Sequence, residues 1–271
     1  MRYRTRFLFI GLAIIAAAGP LQSQTVSLTR PGRYSVALEA ARPQLTFGDE
    51  RVGATSGAFF LSGHAALGAR ANLIVELPFA HAQVDGFLSE SSSTLGNPYV
   101  GLQVIRDRVR FDFGGRLPVA DDDEFASFIG VAAELERMEA FLPDVASLSG
   151  ALRIETGPAN GMNFAVFVGP SLLVFTGDDV LNDDNEVMLT YGIEPAYRGT
   201  SVRAGARLLG RYAATGEGAF ADRSMHQLGL FADFGAGRIR PGVHLRLPLD
   251  EDLREDLPWI LGLNIQFVLN R

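Results

Sequence analysis

The sequence contains no cysteine and no lysine. Without cysteine the chain cannot carry a lipid-modified N-terminal cysteine, a disulfide framework, a thiolate zinc site or a thiol nucleophile. Without lysine it cannot use a P-loop or form a Schiff base. All 24 basic residues are therefore arginines, and 31 acidic residues outnumber them to give a net charge of -7. This balance argues against nucleic acid as a partner, and we predict no bound cofactor and no metal site.

Long apolar runs are scarce, and the clearest one lies at the N-terminus. Three arginines precede an apolar stretch over 7–18, which a Gly-Pro pair then interrupts. This arrangement predicts a signal peptide over residues 1–23. The stretch is short for a transmembrane helix, which needs about 20 residues. Because no other segment could span as a helix, a membrane protein made from residues 24–271 must be a β-barrel.

The stretch from Leu257 to Leu269 alternates in polarity with a period of two residues. Such a period arises when successive side chains leave opposite faces of a strand. No later segment covers the apolar face, so we expect lipid to cover it and the strand to close against the first strand of a barrel. The apolar row is Trp259, Leu261, Leu263, Ile265, Phe267 and Leu269, and the polar row is Gly262, Asn264, Gln266 and Asn270, with Ile260 and Val268 as exceptions.

About twelve segments of the chain show this alternation, and short connections between them alternate with long ones. This layout predicts a single all-β domain, an antiparallel up-and-down transmembrane β-barrel in the bacterial outer membrane. Short turns would be periplasmic, and long acidic loops would be extracellular. The predicted strands are 32–42, 57–70, 72–84, 97–106, 108–119, 145–156, 162–175, 186–198, 200–213, 224–234, 238–248 and 257–270.

Acidic residues concentrate in the long loops, which together with Glu186 hold 24 of the 31 acidic residues. We expect this rim to be hydrated, or to be bridged by divalent cations to lipopolysaccharide. The predicted partners are outer-membrane lipid, lipopolysaccharide, the barrel assembly machinery and a small solute. The runs 121–124 and 178–186 do not have EF-hand spacing, so we interpret them as solvated loops. Loop 120–144 is long enough for a helix over 128–142 that folds over or into the mouth of the barrel.

Arginine dominates the polar face of the predicted strands, where glycines are interleaved with it. The predicted lumen carries Arg70, Arg110, Arg116, Arg153, Arg203, Arg207, Arg211, Arg240 and Arg246 against Glu39, Glu76, Asp112, Glu155, Glu194 and Asp233. The candidate solute pathway is Arg110, Arg116, Arg203, Arg207, Arg211, Arg240, His244 and Arg246. Two interpretations remain open: an anion-favouring constriction, or an ion-pair network that closes the barrel. Space left by Gly63, Gly101, Gly114, Gly192, Gly205, Gly229 and Gly242 favours the passage.

Three short stretches resemble a known family. The sequence Asn72-Leu-Ile-Val-Glu-Leu-Pro-Phe79, then Leu95-Gly-Asn-Pro-Tyr-Val-Gly-Leu102 and Gly115-Arg-Leu-Pro118, is similar to the outer-membrane barrels named for meta-pathway phenol degradation, often called simply transporters. The resemblance implies a barrel and a transporter-like role. Its motifs mark strand ends, and they carry no chemistry of their own.

An enzyme is the other functional class to consider, since a twelve-stranded outer-membrane phospholipase exists. That enzyme type has a His and a Ser two residues apart on the outer wall, and no histidine here is followed by Ser at that spacing. The remaining candidate is a rim constellation of His81, Asp85, His226 and Asp222. We predict instead a non-enzymatic transporter or porin-like channel for small solutes. The alternative is a closed structural or surface-interaction barrel.

Overall fold

The structure, a computed structural model, describes residues 34–45, 51–52, 55–85, 90–121, 124–177, 185–216, 218–235 and 237–270. The predicted signal peptide lies outside these residues. Strand segments make up most of the described chain. They are β1 (Tyr34–Gln44), β2 (Arg51–Val52), β3 (Gly57–Ala66), β4 (Ala71–Asp85), β5 (Glu90–Leu95), β6 (Tyr99–Arg106), β7 (Val109–Arg116), β8 (Val145–Thr156), β9 (Gly161–Phe175), β10 (Glu186–Arg198), β11 (Val202–Ala213), β12 (Ser224–Phe234), β13 (Ile239–Pro248) and β14 (Trp259–Asn270).

These segments form a closed antiparallel barrel of twelve strands, as predicted. Segments β2 and β3 both pair with one edge of β4, and β5 and β6 both pair with its other edge, so each of these pairs fills one position in the wall. The barrel closes where β14 pairs with β1, with Phe267 opposite Val36 and Leu263 opposite Ala40. Full closure leaves no edge among the twelve strands inside the bilayer, where an unpaired backbone group would be costly.

The two-residue period sorts side chains between lipid and lumen. On β14, Leu263 is 59% exposed on the outer wall, whereas the neighbouring Asn264 is 6% exposed and faces inward. The outer wall is therefore apolar because lipid is its solvent, and the polar row is confined to the lumen. The aromatic residues Tyr34 and Phe79 are exposed on this outer wall.

Connections are short at one end of the barrel and long at the other. Backbone at positive φ allows two of the tight turns, at Asp107 (φ 56°) and Gly157 (φ 119°). The first turn differs from the prediction. Ala66 pairs with Asn72, so the turn covers 67–70 rather than 71–72, and Arg70 is exposed at the turn instead of lining the lumen.

In the described parts of the long connections lie two α-helices and two 3-10 helices: α1 (Glu124–Ala133), a 3-10 helix (Leu135–Ala140), a second one (Ala221–Arg223) and α2 (Glu251–Asp256). Among the residues that the structure describes, no helix is both long and apolar enough to cross a membrane.

We expect Leu263→Arg to lower the free energy of unfolding in phospholipid vesicles by roughly 2–4 kcal/mol, the cost of arginine on the lipid face near the bilayer midplane. Urea unfolding, followed by fluorescence of the single tryptophan, measures it. Leu249→Arg is the control, because Leu249 is exposed but lies just beyond the end of β13. Equal losses in both variants would contradict the assigned lipid face.

Candidate functional site

Strand parity places the predicted arginines in the lumen, with the exception of Arg70 in the first turn. Five of the eight candidate pathway residues are buried, namely Arg116, Arg203, Arg211, His244 and Arg246. The other three, Arg110, Arg207 and Arg240, are partly buried on the same inward faces. All eight therefore line the interior, although they lie at different heights along the barrel axis.

Most of the glycines that were predicted to leave space in the lumen do not do so, the exceptions being Gly63, where a Cβ would meet nothing within 4 Å, and Gly229, where it would meet nothing closer than 3.8 Å. A Cβ at Gly101 or Gly114 would meet the Tyr99 ring, and one at Gly192 would meet the ring of Phe167. Likewise a Cβ at Gly205 would meet the ring of Phe231, and one at Gly262 would meet His244. Each ring therefore occupies the volume that a side chain at the glycine would take. The space that the sequence predicted at Gly101, Gly114, Gly192 and Gly205 is therefore filled by aromatic rings, which corrects that part of the prediction.

The long connection between β7 and β8 enters the barrel. We call residues 124–142, which include α1 and the following 3-10 helix, the plug. Ala126, Ile129, Ala133 and Phe141 of the plug are fully buried. They form one apolar cluster with inward residues at the loop end of the wall, which are Ala41, Ala58, Phe60, Ala80, Ala82 and Ile260. The expected helix thus forms, a few residues earlier than predicted, and packs inside the mouth.

Arg137 of the plug is the centre of a buried ion-pair network. Its guanidinium lies 2.9 Å from Glu39, 2.7 Å from Glu76 and 2.8 Å from Glu134. It also stacks 3.7 Å from the centroid of the Phe60 ring, and only 1% of its surface is exposed. One arginine from the plug thus joins two carboxylates of the wall to one of its own.

Wall arginines bind the plug in return. Arg246 contacts Glu134 at 2.6 Å, and Arg207 contacts Glu136 at 3.1 Å. Arg211 lies 2.9 Å from the Glu139 carboxylate and also donates to the Glu136 carbonyl at 2.7 Å. These charge-assisted bonds are shorter and stronger than neutral ones.

Three of these carboxylates were predicted to belong to the acidic outer rim. Glu134, Glu136 and Glu139 are instead buried in the lumen. The reason is electrostatic, because wall arginines offer paired sites that compensate the loss of hydration. The outer rim therefore carries three fewer acidic residues than the count for the long loops implied.

A second polar layer lies between the plug and the periplasmic turns. The Glu194 carboxylate accepts hydrogen bonds from Arg153, Arg203 and Arg207. The distance from Arg207 Nη2 to Glu194 Oε2 is 2.8 Å. The residues grouped around this layer are Arg153, Glu155, Asn163, Ala165, Glu194, Ala196, Arg198 and Arg203. In this layer Arg153 and Arg203 have their carboxylate partners within the wall itself, whereas Arg207 also reaches Glu136 of the plug.

Asn97 holds both ends of the plug segment. Its side-chain oxygen accepts the backbone N–H groups of Val119 and Ala120 at 2.7 and 2.8 Å. Its amide nitrogen donates to the carbonyls of Glu139 and Leu142 at 2.9 and 2.8 Å. The residue is fully buried and lies in the break between β5 and β6. The preceding Gly96 is required there, because a Cβ would lie 2.3 Å from the Ala140 carbonyl oxygen.

The Gly-Asn-Pro stretch of the family resemblance is therefore more than a strand end. Sequence reasoning assigned it no role, and it also missed the plug glutamates. One signal was present: the inward positions near the loops are apolar or small, as at Ala58, Phe60, Ala80 and Ile260, whereas a water-filled mouth would be polar.

The pKa values of the plug carboxyls follow from burial opposed by arginine. Burial favours the neutral acid, but Arg137 and Arg246 outweigh it at Glu134 and lower its pKa to about 2. At Glu139 burial is likewise outweighed, mainly by Arg211, and the pKa falls below its usual value. At Glu136 burial prevails over Arg207, and the pKa is raised.

The rim histidines do not assemble the predicted constellation. His226 pairs with Asp250 at 3.2 Å and with the Tyr191 hydroxyl at 2.9 Å, rather than with Asp222. His81 contacts the Ser93 hydroxyl at 2.8 Å. His81 is on β4 and His226 is on β12, with four strands between them, or roughly 24 Å around the wall. The structure therefore does not bring the two histidines together. Within the described part of the chain, no group of three or more His, Asp or Glu could hold a metal ion.

Comparison with solved structures shows the same architecture. LpxR from Salmonella typhimurium aligns with a TM-score of 0.55 and 11% identity, over 87% of this chain and all of that one. The translocator domain of the autotransporter NalP from Neisseria meningitidis gives 0.53 and 8%, over 96% and 95%. The NanC porin gives 0.52 and 7%, over 86% and 100%. What they share is the fold. The protein is an outer-membrane type of β-barrel.

At these identities the similarity establishes architecture and not activity. No protein-family model and no curated protein matches the chain.

We expect Asn97→Ala to free the plug, since it removes bonds to both ends of the segment, each worth about 1 kcal/mol. Trypsin should then cut after Arg137, which is inaccessible in the native barrel. Mass spectrometry of the fragments over time measures the rate. Asn72→Ala is the control, because Asn72 bonds Gln103 in the wall and does not contact the plug. Equal cleavage in both variants would contradict the role of Asn97.

We expect mild acid to leave the plug in place. Because the pKa of Glu134 is lowered to about 2, its ion pairs stabilise the fold above the usual carboxyl range and weaken only as pH falls towards 2. A spin label at Phe128→Cys, a position 46% exposed on α1, would report plug mobility, with Leu67→Cys in a turn as reference. A rise in the mobility of the label on α1 between pH 7 and 5 would contradict this prediction.

Proposed function

We propose that the protein resides in the bacterial outer membrane and passes small solutes through its arginine-lined lumen when the plug leaves. One observation carries this. At the plug level, the carboxylate that pairs with Arg211 belongs to a loop rather than to the wall. The loop also supplies a second carboxylate to Arg207 and to Arg246, whose partners in the wall are Glu194 and Glu39. A loop can move out of a barrel, and a wall strand cannot.

The porin fold is consistent with this proposal, as is the resemblance to the transporter-like barrels named for phenol degradation, which stays a prediction. The proposal assigns no catalytic role. His226 and Asp250 are explained as a rim hydrogen-bond pair that orients Tyr191 near the membrane surface.

A second candidate is a closed barrel with a structural or surface-interaction role. It is favoured by the filling of the lumen, since aromatic rings cover the wall glycines and the plug buries Arg137 among three carboxylates. Removing one member of such a network costs about 3–5 kcal/mol, so the same contacts that would gate a channel also stiffen a closed barrel.

Single-channel recording separates the two candidates. We expect the refolded native barrel in planar bilayers to show rare, brief openings. A variant in which residues 122–142 are replaced by a Gly-Ser linker should conduct continuously, because it lacks the segment that fills the mouth. Heat-modifiable migration on gels verifies folding of both proteins. Absence of any current through the folded, plug-deleted barrel would reject transport and support the closed barrel.

A further inference from the structure

The plug and the wall carry complementary charge. Glu194 of the second polar layer, which pairs with Arg153, Arg203 and Arg207, is counted with that layer. Among the other side chains that form ion pairs at the plug level, the wall contributes Arg116, Arg207, Arg211 and Arg246 against Glu39 and Glu76. The plug contributes Glu134, Glu136 and Glu139 against Arg137. The wall thus has an excess of two positive charges, and the plug has an equal excess of negative charge.

The wall holds the plug glutamates as a binding site holds an anionic ligand. Each carboxylate faces a different arginine of the wall: Glu134 faces Arg246, Glu136 faces Arg207, and Glu139 faces Arg211. These arginines come from β11 and β13, which are rigid wall strands joined through β12. Arginine suits this task, because its fork stays charged and matches carboxylate geometry.

We propose that the plug occupies the binding site of the solute, and that the solute is a small anion with two or more carboxylate groups. This rests on the proposed function and names the substrate class of the same site. Arg207, Arg211 and Arg246 bind the solute carboxylates after the plug carboxylates leave. The solute and the plug therefore compete for one set of arginines.

More than one acidic group is required because the plug is held at several points. A monocarboxylate can replace one glutamate while the other two, and the Asn97 bonds, keep the plug in place. A polycarboxylate satisfies several arginines at once and removes the electrostatic reason for the plug to return. The deeper layer does not make this selection, since Arg153 and Arg203 already pair with Glu194, and Arg203 also with Asp233, within the wall.

The experiment uses the plug-deleted barrel and the intact one, with citrate as the polycarboxylate probe and acetate as the monocarboxylate. In a salt gradient we expect the plug-deleted barrel to prefer anions. Citrate should block its current at concentrations at least 10-fold lower than acetate. A peptide with the sequence of Glu134–Ala140 should block as well, and the same peptide with glutamine at all three glutamates should not. In the intact barrel, citrate should raise the frequency of openings.

Arg207→Gln with Arg211→Gln, made in the plug-deleted barrel, should weaken block by citrate and by the peptide at least 10-fold. Arg198→Gln is the matched control, because Arg198 pairs with Glu155 in the second polar layer. This variant should leave the block by citrate and by the peptide unchanged. If the plug-deleted barrel is folded but silent, the transport function itself fails. If it conducts without anion preference, or if citrate block is independent of Arg207 and Arg211, the substrate class fails while transport stands.

Discussion

The structure depends on the need to pair every charge that the lumen withdraws from water. A chain that reserves its outer wall for lipid must place its polar side chains inside, and this chain has only arginine with which to build the positive part. A buried guanidinium without a partner is costly, whereas one with two or three carboxylates is tolerated. Arg137 and Glu194 are the two points at which this requirement is met by sharing, since each contacts three oppositely charged groups.

This pairing also explains why the plug lies inside rather than over the barrel. In solvent, Glu134, Glu136 and Glu139 would interact with distant arginines only weakly, because water screens exposed charges. Inside the mouth the same charges lie close together in a medium of lower dielectric constant, and the apolar surface of Ile129 and Phe141 is buried at the same time. Hydrophobic packing and ion pairing therefore favour the same location.

Much of the barrel was predictable, since the solvent on each face imposes the period. The alternation of Leu263 with Asn264 identified the lipid face, and that of Arg207 and Arg211 with their apolar neighbours identified the lumen. The location of the plug was not predictable in this way. Loop residues have no fixed period, and Glu139 in a loop has the same sequence context whether it faces water or arginine. The contacts between rings and glycines depend on strand register, which the alternation alone does not determine.

Asn97 would limit how the proposed competition between the solute and the plug proceeds at the mouth. Residues 120 and 142 both remain bonded to one side chain of the wall, so the displaced segment stays tethered at both ends. A short tether gives its glutamates an effective concentration in the millimolar range near the arginines, about that of a ligand on a flexible linker. A free molecule must match that local concentration to hold the arginines. The barrel would accordingly respond to the abundance of a solute outside the cell, and stay shut towards the same solute when it is scarce.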